Sequence, residues 1–244
     1  VGSPRSGTSF TGAALGAQPG WVDLGEVPIL KAAVPTLVAL PRAEQAAAVR
    51  RIVQRLRTLA FVRGLRGVEQ NPETSFVLTG ALEAYPRAIA VHVIRDGRDV
   101  VCSLLERGWL RADRTAYDDA RQPYGAYARF WVEPERRDEF EHASEARRAA
   151  WAWRCYVTAA RSVPERTIEL RYEALVADPH AEADRLAAAL GSDPAPLHAA
   201  LADAHDTSVG RWRRDLTPEQ LADVEVEAGP LLAELGYTCA SPIL

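Results

Sequence analysis

A loop at the start of the chain constrains the fold more than any other feature. Residues 2–9 read GSPRSGTS, with two glycines five positions apart and Thr8 and Ser9 after the second. Glycines so placed let a tight turn aim several backbone N–H groups at one spot, and the helix-compatible residues that follow aim a helix N-terminus at the same spot. Both devices attract an anion, and both need a strand entering the loop and a helix leaving it. Val1 stands where that strand is already expected to be under way, so the true N-terminus is expected upstream.

The spacing fits a nucleotide-triphosphate loop, G-x-x-x-x-G-K-[ST], except that Thr8 stands where its lysine would contact the β- and γ-phosphates. The cation has moved rather than vanished. Arg5 lies inside the loop, and its guanidinium offers a planar fork to an anion. A divergent P-loop kinase stays as a weaker alternative, since no strand ends convincingly in a Walker-type aspartate.

Further along, periodicity sketches an alternation of strands and helices. Pro19-Gly20 closes the first helix, and residues 21–28, WVDLGEVP, read as a short extended piece turning at Gly25. In residues 41–65, Val49, Ile52, Val53, Leu56 and Leu59 recur at helical spacing with arginines opposite, an amphipathic surface helix. Residues 67–72 read as a second strand stopped by Asn71-Pro72, followed by a helix over 73–85. The best strand is AIAVHVIR, residues 88–95, nearly continuous in apolar character as buried parallel strands are. It turns at Gly97 into a helix ending at Gly108. Residues 145–162 form a helix carrying Trp151 and Trp153, residues 167–172 another strand, and the remainder short helices broken by prolines. The expected architecture is α/β: a nucleotide-kinase-like open parallel sheet of about five strands flanked by helices, in a single domain over residues 1–244. The polar, aromatic residues 109–144 have no clean period and read as a helical or irregular lid insertion, with Tyr117, Tyr124, Tyr127, Phe130 and Trp131 able to pack on an acceptor or on the core.

Composition narrows the partners. A net charge of -4 argues against a surface that neutralises nucleic acid. No apolar run approaches the roughly 20 residues that span a bilayer. Cys102, Cys155 and Cys239 contain no CxxC pair and suit neither a zinc site nor a disulfide framework, so a reducing, cytoplasmic setting is expected. Lys31 is the only lysine, and the arginine-rich usage is what high-GC bacterial coding produces.

A second motif gives the loop its context. VIRDGRDVVCSLLERG, residues 93–108, ends the strongest strand in Arg95 and puts Ser103 eight residues on, nearly two turns into the next helix. Ligands of open α/β sheets collect at that carboxyl edge. In this order the two motifs resemble those of the sulfotransferases that use 3′-phosphoadenosine-5′-phosphosulfate (PAPS), and PRSGTS is similar to the bacterial and tyrosylprotein branch. The resemblance implies that Arg5, Ser6, Gly7, Thr8 and Ser9 hold the 5′-phosphosulfate, that Arg95 and Ser103 hold the 3′-phosphate, and that Arg107 contacts the nucleotide. It also implies that Tyr172, in ELRYEALVADP, lies near the adenine, and that Arg211, with Ser208 and Trp212, belongs to a basic loop closing over the 3′-phosphate. Arg98 reads equally well as a solvated partner of Asp96 or Asp99.

The implied reaction moves the sulfuryl group to a hydroxyl of a small molecule or natural product, needs no metal, and leaves adenosine 3′,5′-bisphosphate (PAP). Relatives place a glutamate after a glycine at about the position of Glu26, which makes it the expected base, its pKa raised by partial burial. Glu69 is the second choice. Gln70 stands where relatives usually carry a lysine that binds the transferred group, so a catalytically silent nucleotide-binding protein is the alternative.

Overall fold

The computed structural model describes residues 1–111 and 129–237. Its first half runs α1 (Thr8–Gly16), β1 (Trp21–Asp23), α2 (Pro28–Leu37), α3 (Arg42–Leu59), β2 (Arg66–Val68), a 3₁₀ turn (Pro72–Val77), α4 (Leu78–Ala84), β3 (Ala90–Ile94) and α5 (Gly97–Arg107). The second half runs α6 (Arg137–His142), α7 (Glu145–Ala160), β4 (Thr167–Arg171), α8 (Tyr172–Ala177), α9 (Pro179–Leu190), α10 (Pro194–Leu201), α11 (Trp212–Asp215) and α12 (Pro218–Glu234). The fold is mixed α/β and mostly helical.

The strands pair in parallel, β1 with β2 from Trp21 opposite Arg66, and β3 with β4 from Ala90 opposite Thr167. Where about five strands in one sheet were expected, the described residues hold four strands in two pairs. A cavity of about 780 Å³ is lined by residues of both pairs, Gly67 and Val68 of one and Ala90 and Val91 of the other, together with Val1. Val1 lies along β3 as a parallel strand does: its amino group donates to the Val91 carbonyl at 2.9 Å, and the Val93 N–H donates to the Val1 carbonyl at 3.1 Å. The loop at residues 2–9 therefore leaves strand-like backbone and enters α1.

Two helices differ from the expected pattern. α2 falls almost wholly in a stretch, residues 29–40, for which the sequence pattern gives no element. Pro28 occupies its first turn, where a missing N–H costs nothing, and Leu30, Val34 and Leu37 bury one face against Val49 and Val53 of α3. α12 is long rather than short: Thr217 and Gln220 cap it reciprocally, and it runs on through Pro230. Trp151 and Trp153 of α7 are fully buried against α5 and α12, the anchor of the largest apolar cluster. Of the aromatic segment, Phe130 and Trp131 pack edge-on or tilted against Phe76, Phe140 and Tyr156, which is core packing, while Tyr117, Tyr124 and Tyr127 lie outside the described residues. His92 is buried in mid-strand, and burial pushes its imidazole down to about 3, so it stays neutral.

Candidate functional site

The loop before α1 carries its conformation in two unusual residues. Arg5 has φ +69° and Gly7 φ +95°. A side chain at positive φ costs on the order of 1 kcal/mol and persists only where neighbours hold it. Arg5 is held on both sides: its Nε donates to Ser103 Oγ at 2.9 Å, and its carbonyl accepts from Arg95 Nη1 at 3.2 Å. The two sequence motifs thus touch through Arg5. At Gly7 a Cβ would meet the Tyr172 ring at 2.9 Å, so the second glycine of the loop lets the ring lie against the backbone. α1 then starts with no side-chain cap and no acid in its first turn, which leaves its N-terminal dipole open to an anion. Ser6 is fully buried, and its Oγ, like Arg95 Nε, has no hydrogen-bond partner among the described residues.

Arg95 owes its position to packing beneath it. The Trp153 indole N–H donates to the Arg95 carbonyl at 3.1 Å, and a Cβ on Gly97 would lie 2.7 Å from the same ring, so only glycine lets the chain turn there. The guanidinium stands 4.9 Å over the Tyr172 ring and donates to the Ser208 carbonyl at 2.5 Å. Tyr172, the first residue of α8, donates its hydroxyl to the His205 carbonyl at 3.1 Å. Residues 205–212 are drawn across the end of β3 by these bonds. Arg98 pairs with Asp96 rather than Asp99, its Nη2 2.7 Å from Oδ2, and the pair is buried, not solvated.

The outcome is a cavity of about 370 Å³, the size of a small-ligand site, lined by Arg5, Gly7, Thr8, Ser9, Arg95, Ser103, Tyr172, Ser208 and Arg211. Nine residues chosen from sequence meet there, from four separate chain segments. Ser6 is buried outside the lining; Arg107 is exposed on the last turn of α5 and does not enter it; Trp212, at the far end of the strap that residues 205–212 form, is buried and does not line it either. Sequence reasoning missed Glu106, which also lines the cavity. Its Oε2 accepts from Arg211 Nη1 at 3.2 Å, and that pairing holds the Glu106 carboxyl below its ordinary value and, with Asp215, holds the Arg211 guanidinium above its own.

The carboxylates lie together elsewhere. Glu26, in the loop between β1 and α2, is 39 % exposed and accepts from Lys31 Nζ at 3.0 Å; Lys31 Nζ is also 3.8 Å from buried Glu73. Glu73 in turn accepts from the Tyr156 hydroxyl at 3.4 Å. Neither Glu26 nor Glu69 lines the smaller cavity. Glu69 accepts from the Asn71 N–H at 2.9 Å and from the Thr74 hydroxyl at 3.2 Å, and desolvation pushes its carboxyl up to about 7. Gln70 lies across α1, its Cβ 3.0 Å from where a Gly12 side chain would begin. Lys31 is the other residue passed over in sequence, although its being the sole lysine of an arginine-rich chain was a usable signal.

Among the described residues no group of His, Cys, Asp and Glu is arranged to hold a metal ion, and no helix is long and apolar enough to cross a membrane. Neither the curated proteins nor the solved structures contain a match to this chain. The model of the sulfotransferase family matches residues 40–196, well over half of the sequence, and takes in Arg95, Ser103 and Tyr172 while leaving Arg5, Glu26 and Arg211 outside. With that match, this chain belongs to the sulfotransferase family.

Proposed function

We propose that this chain is a single-domain, cytoplasmic enzyme that transfers the sulfuryl group of PAPS to a hydroxyl of a small-molecule acceptor. The observation that carries the proposal is the convergence of Arg5, Arg95, Ser103 and Arg211 on one cavity, with Arg5 and Ser103 in direct contact. Three guanidiniums, a serine and an uncapped helix N-terminus suit a ligand bearing two separated anionic groups, one at the loop and one between β3 and the strap. Tyr172, whose ring lies between Gly7 and the Arg95 guanidinium, offers a flat apolar surface beside both. The buried free thiols of Cys102 and Cys155 suit a reducing compartment.

In the proposed reaction, Glu26 takes the proton of the acceptor hydroxyl and the acceptor oxygen forms a bond to sulfur. The bond from sulfur to the 5′-phosphate oxygen breaks, its electron pair stays on that oxygen, and Arg5 stabilises the growing charge. The products are a sulfate ester and adenosine 3′,5′-bisphosphate. Glu26 is favoured over Glu69 because Lys31 holds its carboxylate at an accessible surface, whereas Glu69 is engaged by Asn71 and Thr74.

Calorimetry tests the donor: in EDTA the wild type binds adenosine 3′,5′-bisphosphate and Arg95→Ala loses that binding, while in a separate EDTA-free buffer ATP with Mg²⁺ does not compete. Binding of ATP that depends on Mg²⁺ would return the chain to the kinase alternative. A transfer assay with labelled PAPS then separates a working enzyme from a silent binding protein.

A further inference from the structure

Asp99 does not line the pocket, yet it joins two of the segments that do. It lies in the first turn of α5, one helical turn before Ser103, and is fully buried. Its Oδ2 accepts from the Gly210 N–H at 2.7 Å and its Oδ1 from the Trp212 N–H at 3.0 Å. One carboxylate therefore grips the backbone on both sides of Arg211. Burying a carboxylate is costly, and two charge-assisted bonds from otherwise unbonded backbone donors are the kind of partner that offsets the cost. The strap's other anchors, Tyr172 to the His205 carbonyl and Arg95 to the Ser208 carbonyl, use side chains that line the pocket themselves. Asp99 is the anchor set back from it. Behind it, the Arg98 guanidinium lies 3.9 Å over the Trp212 ring and fixes the far end of the strap.

We propose that Asp99 is a positioning residue that sets the pocket's preference for a 3′-phosphate, by holding residues 210–212 so that Arg211 and Ser208 stand opposite Arg95 and Ser103. The inference rests on the nucleotide reading above and adds a residue to it. Replacing Asp99 by Asn keeps shape and one acceptor oxygen but turns an amide N–H₂ toward the second backbone donor, which releases one side of the grip.

The test compares adenosine 3′,5′-bisphosphate with adenosine 5′-monophosphate by calorimetry on the wild type and Asp99→Asn. The bisphosphate is expected to weaken about tenfold and the monophosphate less than about twofold, so the ratio between them falls, as loss of a charge-assisted bond implies. Amide exchange at Gly210 and Trp212 should quicken in the same variant. If Asp99→Asn does not fold, Gly210→Ala perturbs the strap from outside, since Gly210 has φ +70° and its Cβ would lie 2.6 Å from Arg213 Nη1, and the same ratio should fall. Equal weakening of both nucleotides would make Asp99 a general support and overturn the proposal. A wild type that prefers the bisphosphate and a variant that keeps the preference would overturn this inference alone. A wild type that binds neither nucleotide would overturn the nucleotide reading and this inference with it.

Discussion

Arg95 and Lys31 are both buried cations, and their surroundings differ in kind. Arg95 is fixed by backbone carbonyls of Arg5 and Ser208, neutral acceptors that orient the guanidinium without a carboxylate. Lys31 sits between the carboxylates of Glu26 and Glu73. A cation held by neutral groups leaves its charge unbalanced for an incoming anion, whereas a cation shared by acids is already balanced by them and fixes where those carboxylates stand. In the proposed reaction the first region holds the charged donor and the second takes the acceptor's proton. Each region should therefore respond to substitution without the other.

The largest effect is expected on turnover. Glu26→Gln should lower the rate of sulfuryl transfer by about 10²- to 10⁴-fold, the range for loss of a general base, while the affinity for adenosine 3′,5′-bisphosphate changes by less than about twofold. Steady-state rates and calorimetry on the same preparation check both halves. A large loss in Glu69→Gln with little in Glu26→Gln would move the base to Glu69 and redraw the division. Ser103→Ala should do the reverse, weakening the bisphosphate about tenfold through the lost hydroxyl and its bond to Arg5, with saturated turnover nearly unchanged.

How much of this was readable in sequence follows the same division. The lining of the smaller cavity was legible because Gly7, Arg95, Ser103 and Tyr172 lie at or just beyond junctions between strand and helix, where spacing along the chain fixes position in space. The strap was legible only through its resemblance, and its holder, Asp99, looked like half of a surface pair with Arg98. What decided the matter was a contact between α5 and residues more than a hundred positions away, which no local pattern encodes. Glu26 follows the glycine turn that its sequence suggests, yet its pairing with Lys31 depends on α2, a helix whose apolar spacing is short and interrupted by Pro35. The separation of the strands into two pairs was equally hidden, since strand count follows from local pattern and strand adjacency does not.

A smaller effect separates the two carboxylates by pH. Burial raises Glu69 from about 4.5 to about 7, so the folded chain binds a proton that the unfolded chain has released between those values. Glu69 therefore favours the fold fully below pH 4.5, and that contribution is lost as pH rises through 7. Between pH 5 and 8 the melting temperature of the wild type should fall relative to Glu69→Gln by roughly 3–6 °C, read by calorimetric scans of both proteins. Parallel profiles would mean that Glu69 is solvated enough to titrate normally, which would remove the raised basicity that makes it a rival to Glu26.

The smallest effect probes the one place where the pocket departs from its own pattern. Arg211, unlike Arg95, is held by carboxylates, those of Glu106 and Asp215. Glu106 lines the cavity and is largely exposed, so a bound phosphate and its carboxylate compete for one guanidinium. An exposed pair of this kind is worth about 0.2–1 kcal/mol, and Glu106→Gln should tighten the bisphosphate by about twofold to fivefold at low salt, the gain shrinking as ionic strength rises. Calorimetry at two salt concentrations reads it directly. Weaker binding in the variant would show instead that Glu106 braces Arg211 over the pocket, and the strap would then work like the Lys31 region, through a cation whose position depends on the acids around it.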